Sequence, residues 1–168
     1  MRLPYLTVRT RSADETRSLG HELGQLVLPG EVLLLTGGLG TGKTTFIQGL
    51  ARGLGVDTRA TSPSFTLMRV YEGRYPLLHV DLYRCDTLHE IADLGLEQMM
   101  EPPWVSVFEW GEKAGPLIPT DHLEVEFAWD QTDDDTRVLQ FRPMGQWQDR
   151  MRELSDRLRA AASAEGAG

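Results

Sequence analysis

Residues 37–44 read Gly-Gly-Leu-Gly-Thr-Gly-Lys-Thr and match the pattern G-x-x-x-x-G-K-[ST]. Glycines at this spacing let the backbone wrap closely around a phosphate, with amide N–H groups pointing inward. A helix that opens at the end of the loop adds its positive N-terminal dipole. Such a loop has to follow a strand and precede a helix, and the flanks meet both conditions. Residues 32–35 (Val-Leu-Leu-Leu) form a continuous apolar run, the pattern of a strand buried on both faces. Residues 45–54 carry a helical pattern that Gly55 stops. The expectation is a P-loop α/β fold. Its nucleotide contacts would be Gly37, Gly38, Leu39, Gly40, Thr41, Gly42, Lys43, Thr44 and Thr45. Lys43 would reach the β- and γ-phosphates, and the Thr44 hydroxyl would ligate Mg2+. The chain contains no asparagine. A guanine-reading Asn-Lys-x-Asp motif is therefore impossible, and ATP follows by elimination.

A P-loop needs a second anchor for magnesium, usually an acid at the C-terminal end of a neighbouring strand. Asp81 ends the run Leu-Leu-His-Val-Asp, and Glu109 ends Val-Ser-Val-Phe-Glu. Both would sit at the carboxyl edge of the sheet, where ligands collect in open α/β folds. One acid would serve the metal and the other would orient the attacking water; residue pattern alone leaves open which is which. Residues 61–66 (Thr-Ser-Pro-Ser-Phe-Thr) supply four hydroxyls around a proline. They read either as a switch loop reaching the γ-phosphate or as a plain Ser/Pro turn. Arg84 could meet the γ-phosphate or form a structural ion pair. His79, inside an apolar strand, reads as a packed core histidine. Trp110 could stack on a base or fill a pocket rim.

The remaining pattern predicts a strand at residues 5–10 and a helix opened by the capping box Ser12–Glu15 and ended at Pro29-Gly30. Strands are expected at 65–71 and 75–82 around a short loop at 72–74. Residues 87–100 read as helical, with a break at Gly95. Residues 123–129 and 137–141 alternate as an antiparallel hairpin. The tail, 146–162, spaces Trp147, Met151, Leu154, Leu158 and Ala161 as an apolar stripe, suited to packing on its own domain or to pairing with another chain. We divide the chain into a P-loop domain, residues 1–145, and a helical extension, 146–168.

Length and composition set the outer bounds. With 168 residues the chain fits one domain with a substantial core. No apolar run approaches a membrane span, and the N-terminus lacks the apolar stretch of a secretory signal. The single cysteine, Cys85, excludes an internal disulfide framework and a cysteine-based zinc site. A cytoplasmic protein without membrane contact is expected. The net charge of −8 disfavours unaided tight binding to nucleic acid.

The ordered set Gly-Gly-Leu-Gly-Thr-Gly-Lys-Thr-Thr, Thr-Ser-Pro-Ser-Phe-Thr-Leu, His-Val-Asp-Leu-Tyr-Arg, Asp-Leu-Gly-Leu-Glu and Phe-Glu-Trp resembles the bacterial TsaE (YjeE) family. The likeness covers roughly residues 12–127. It implies a small P-loop ATPase with a mixed, partly parallel sheet flanked by helices. It also implies a role in making threonylcarbamoyladenosine in tRNA, with partners TsaD and TsaB and with tRNA reached only through the complex. Hydrolysis would be weak alone and partner-stimulated. Under the resemblance Lys43, Asp81, Glu109 and Thr61 are the catalytic positions. Glu109 corresponds to the family's magnesium-associated glutamate, Asp81 to a Walker-B-like aspartate, and Thr61 falls in the switch-like loop. Gly38 stands where the family usually has an acid, and Ser64 replaces a threonine. A small-molecule kinase is the alternative, but no arginine-rich lid is evident. A nucleotide-gated binding module would need only one acid.

Overall fold

The computed structural model describes residues 6–63 and 66–165. Tyr5, Ser64 and Phe65, which the sequence reading placed in strand or switch segments, lie outside the described residues. Among those described, seven strands form one sheet in the order β1-β7-β6-β2-β5-β4-β3. They are β1 (Leu6–Thr10), β2 (Val32–Gly37), β3 (Met68–Tyr71), β4 (Leu77–Asp81), β5 (Val105–Glu109), β6 (His122–Trp129) and β7 (Arg137–Met144). The central β6, β2, β5 and β4 run parallel. The edges are antiparallel: β3 on β4, β7 on β6 and β1 on β7. The sheet is thus mixed, with the C-terminal hairpin stitched to the parallel core through β6.

Period-two alternation sorts the strand residues between two buried clusters. Leu33, Leu35, Leu77, Val105 and Val107 join the cluster that holds the helical residues Leu19, Leu23, Phe46, Ile47 and Leu50. Val32, Leu34, Leu78, Val80 and Phe108 join a smaller cluster on the opposite face with Ile91 and Leu96. The same alternation therefore points His79, Asp81 and Glu109 toward the face where the phosphate-loop helix begins.

Helix α1 (Ala13–Leu26) starts at Ser12, whose hydroxyl accepts the Glu15 N–H as the sequence requires. It lies against α2 (Lys43–Gly53) in backbone contact. Both helices carry glycines four apart, Gly20 and Gly24 on α1 and Gly49 and Gly53 on α2. A Cβ on Gly49 would sit 1.9 Å from the Arg17 carbonyl oxygen, and one on Gly20 would sit 2.2 Å from the Phe46 oxygen. No side chain larger than hydrogen fits there, so the glycines set how close α1 holds the helix that follows the phosphate loop.

The segment expected to be helical over 87–100 is shorter. Helix α3 is Leu88–Ala92, capped by Thr87, and a 3-10 turn follows at Glu97–Met100. Between them Gly95 adopts φ +65°, which ends the α-helical path. The tail forms a 3-10 turn at Gly145–Arg150 and then α4 (Met151–Glu165). Trp147, Met151, Leu154 and Leu158 are buried in the main cluster, against α1 and β1. At about 1.5–3 kcal/mol for each large apolar side chain removed from water, this stripe contributes substantially to the stability of the sheet face it covers. Packing on its own domain accounts for the apolar periodicity. No described helix is long and apolar enough to cross a membrane.

Candidate functional site

β2 delivers the chain to the carboxyl edge at Gly37, and α2 leaves from Lys43. The loop between them turns on Gly37, Gly40 and Gly42 at φ +126°, +76° and +104°. L side chains rarely adopt these angles, so the glycines are required by conformation and not only by space. Gly37 meets both demands, because a Cβ there would lie 2.3 Å from the Phe127 oxygen of β6. The Thr41 hydroxyl, in a buried residue, donates to the Gly38 oxygen at 2.7 Å and braces the loop.

Lys43 is buried, with its ammonium donating to the Gly37 oxygen and, at 3.1 Å, to the Gly38 oxygen. The same ammonium lies 3.9 Å from the centre of the Trp110 ring. Burial pushes its pKa below the usual lysine value, and the charges of Glu109, Glu112 and Asp81 oppose that shift. A phosphate placed beside it would favour the charged form still more.

Asp81 and Glu109 lie side by side because β4 and β5 pair in parallel with these two residues in register. Both are buried, 8% and 3% exposed. Each carboxylate is held at both oxygens. Glu109 Oε1 accepts from the Thr44 hydroxyl at 2.9 Å, and Oε2 is 2.8 Å from His79 Nε2. A carboxylate can only accept, so His79 donates from Nε2. Its neutral form then leaves Nδ1 as an acceptor, and that atom is buried without a hydrogen-bond partner. Asp81 Oδ1 accepts the Tyr83 N–H at 3.0 Å, and Oδ2 accepts the Ser62 hydroxyl at 2.8 Å.

These groups line one cavity of about 340 Å³ bounded by Leu39, Gly40, Gly42, Lys43, Thr44 and Thr45 on the loop side. Ser62, Asp81, Tyr83, Glu109 and Trp110 form the other wall. Trp110 follows the last strand residue in a left-handed conformation, φ +59°. That turn folds its ring back over Lys43 and beside Tyr83, at 5.0 Å between ring centres.

The structure thus brings together Lys43, Thr44, Asp81 and Glu109 as the sequence reading places them. It sets Thr61 elsewhere. The Thr61 hydroxyl is 3.0 Å from Arg69 Nη1, its N–H donates to the Tyr71 hydroxyl at 3.2 Å, and Ser62 is the residue of this segment that lines the cavity. Arg84 is exposed and lies outside the lining. His79 is the core histidine expected, fully buried, but it also holds the Glu109 carboxylate. Tyr83 lines the cavity as well, with nothing in the sequence pattern to assign it there. The signal for His79 was available: in a strand ending at Asp81, alternation puts 79 on the face of 81, and the parallel neighbour ends in a second acid.

Thr44 and Glu109 present two oxygens 2.9 Å apart beside the loop that would hold phosphates. Mg2+ takes oxygen ligands and usually binds through one or two protein groups plus phosphates and water. The donor set fits that cation. No larger group of His, Cys, Asp or Glu suited to a metal is present among the described residues.

Three comparisons agree. The family model described as threonylcarbamoyl adenosine biosynthesis protein TsaE matches residues 10–139. The Bacillus subtilis protein named tRNA threonylcarbamoyladenosine biosynthesis protein TsaE is 35% identical over 144 residues, covering 85% of this chain and 89% of its own. A Treponema pallidum protein of the same name is 43% identical over 110 residues, covering 66% of this chain and 82% of its own. The crystal structure of Bacillus subtilis YdiB superposes with a TM-score of 0.79 at 32% identity and covers 93% of this chain and 97% of that one. The loop, the paired acids at the sheet edge and this agreement over most of the chain make it a member of the TsaE family.

Proposed function

We propose that this chain hydrolyses ATP with Mg2+ and, with TsaB and TsaD homologues, supports threonylcarbamoyl transfer to adenosine in tRNA. The observation that carries the reading is the Glu109 carboxylate, held between the Thr44 hydroxyl and His79 at the mouth of the phosphate loop. A buried carboxylate costs free energy unless its oxygens are satisfied, and here both are satisfied beside the loop that would hold the phosphates. The names of the family model and of the relatives support the tRNA pathway.

In this reading the loop amides and Lys43 hold the β- and γ-phosphates, and Lys43 offsets the charge that develops as the γ-phosphoryl leaves. Thr44 and Glu109 would hold Mg2+, which supplies neutralisation of phosphate charge when bound. Asp81, fixed by Ser62 and the Tyr83 N–H, keeps spare lone pairs to orient water on the far side of the cavity. The γ-phosphoryl passes to that water, the bond to the ADP oxygen breaks, and the released proton reaches solvent. Turnover by the isolated chain is expected to be slow, with partners ordering the wall to which Ser62 belongs.

The decisive experiment measures ATP hydrolysis by the purified chain alone and with TsaB and TsaD. A low rate that rises when both are added supports the reading. An unchanged rate, or phosphate delivered to a metabolite in place of water, overturns it in favour of a kinase.

A further inference from the structure

A second, larger cavity of about 640 Å³ lies outside the nucleotide pocket and shares none of its lining residues. Its walls are α1, α2 and the loop at residues 56–60, and three arginines line it: Arg17, Arg52 and Arg59. Arg17 and Arg52 also line an adjoining hollow of about 440 Å³ with His21, so the two hollows form one groove along the paired helices.

The arginines differ in their ties. Arg17 is positioned by Asp14 at 2.6 Å and by Gln48 at 3.4 Å. Arg52 and Arg59 are exposed, and their side chains make no hydrogen bond or ion pair with any described residue. Asp14 is spent on Arg17, which leaves Asp57 as the other acid in the wall. Two guanidiniums without a partner among the described residues, and a third held by its neighbours, are conspicuous in a chain of net charge −8. A guanidinium presents planar paired donors that match phosphate oxygens, and a groove of this length admits more than one phosphate.

We propose that this groove binds phosphate groups, whether in an RNA backbone or in a free polyphosphate, through Arg17, Arg52 and Arg59. The assignment does not depend on the chemistry of the nucleotide pocket. The loop that forms the groove wall continues within two residues to Ser62, which lines that pocket. An occupant of the groove therefore touches the segment that reaches the nucleotide.

Calorimetric titration of the full chain tests this, with the phosphate loop saturated by Mg-ADP. The probes are inorganic pyrophosphate and a short single-stranded RNA with a 5′-hydroxyl end. Wild type is compared with the double variant Arg52→Ala, Arg59→Ala, which alters exposed side chains and is expected to fold and to bind ADP normally. Charge-assisted contacts of this kind predict that the variant binds about tenfold or more weakly. If RNA is the source, the salt dependence of its binding should also flatten by about 1.4 in log–log slope, from two lost phosphate contacts. Binding of RNA but not pyrophosphate assigns the groove to a backbone, and the reverse assigns it to a free polyphosphate. Equal binding by the variant, or no binding of either probe by wild type, overturns the proposal.

Discussion

The two walls of the cavity at the phosphate loop are built by different means. The loop wall, Gly37 to Thr45, is nine consecutive residues whose shape follows from their own backbone preferences. The facing wall is assembled from three separated segments, Ser62, Asp81 with Tyr83, and Glu109 with Trp110. No local preference brings these together. They meet because β4 and β5 pair in register and because a loop from α2 crosses over them. A locally encoded wall tolerates change elsewhere in the molecule, whereas an assembled wall depends on every element that places it.

That contrast can be broken or sharpened by substitution. The largest effect is expected on the local wall. Lys43→Ala removes the charge that would lie nearest the phosphates, and loss of one such preorganised donor costs about 100-fold or more in turnover. Normal steady-state kinetics in that variant would remove the functional basis of the loop wall altogether.

His79→Ala tests the assembled wall without touching nucleotide. Glu109 would lose the donor that fixes Oε2, and removal of a residue that orients a metal-holding group costs about tenfold in metal affinity or activity. The check is the Mg2+ concentration that gives half-maximal hydrolysis, which should rise while ATP affinity measured without metal stays put. If both move together, His79 acts by holding the fold and not by holding Glu109.

A smaller effect separates two neighbours. Ser62→Ala removes a hydrogen bond to Asp81, worth about 1 kcal/mol, and is expected to lower turnover about fivefold. Thr61→Ala breaks contacts with Arg69 outside the cavity and is expected to change turnover by less than about twofold, the usual range for a surface substitution. Reversal of that order, in a partner-stimulated assay, would show that the segment shifts and carries Thr61 inward.

The smallest effect on the site comes from the far end of the molecule. Leu158→Ala should cost about 3 kcal/mol of stability by thermal unfolding, as core leucine truncations do. Nucleotide affinity of the folded fraction should not change, since α4 lines neither wall.

Much of this was legible beforehand for identifiable reasons. The short apolar run at 32–35, bounded by a glycine-rich octet, reads as a strand buried on both faces, and the octet turns where glycine is allowed. Ser12 and Glu15 marked a helix start that the structure reproduces. The alternation in 123–129 and 137–141 gave the hairpin, though β7 runs on to Met144. Other features were not legible because their causes are not local. Residues 87–100 bury Ile91, Leu96 and Met100 in the second cluster, yet Gly95 at φ +65° divides them. The choice of Ser62 over Thr61 turns on which way a proline-containing loop crosses β4. The glycines at 20, 24, 49 and 53 sit at helical spacing that reads as weak propensity until a second helix lies across them. Of the groove's arginines, Arg17 on α1 is far in sequence from Arg52 and Arg59 and joins them only when α1 and α2 are in contact.

By itself, then, the sequence determined the phosphate loop, the strand that feeds it, the two acids that end their strands and the apolar faces of the helices. Each rests on a preference that acts over a few residues: allowed backbone angles, side-chain alternation, capping. Tertiary structure alone decided the strand order, the pairing of Asp81 with Glu109, the hold of His79 on Glu109 and the closeness of α1 to α2. Those depend on which distant surfaces exclude water from one another, and the hydrophobic effect that drives such burial is non-directional. Apolar patterning therefore says which faces must be covered but not what covers them.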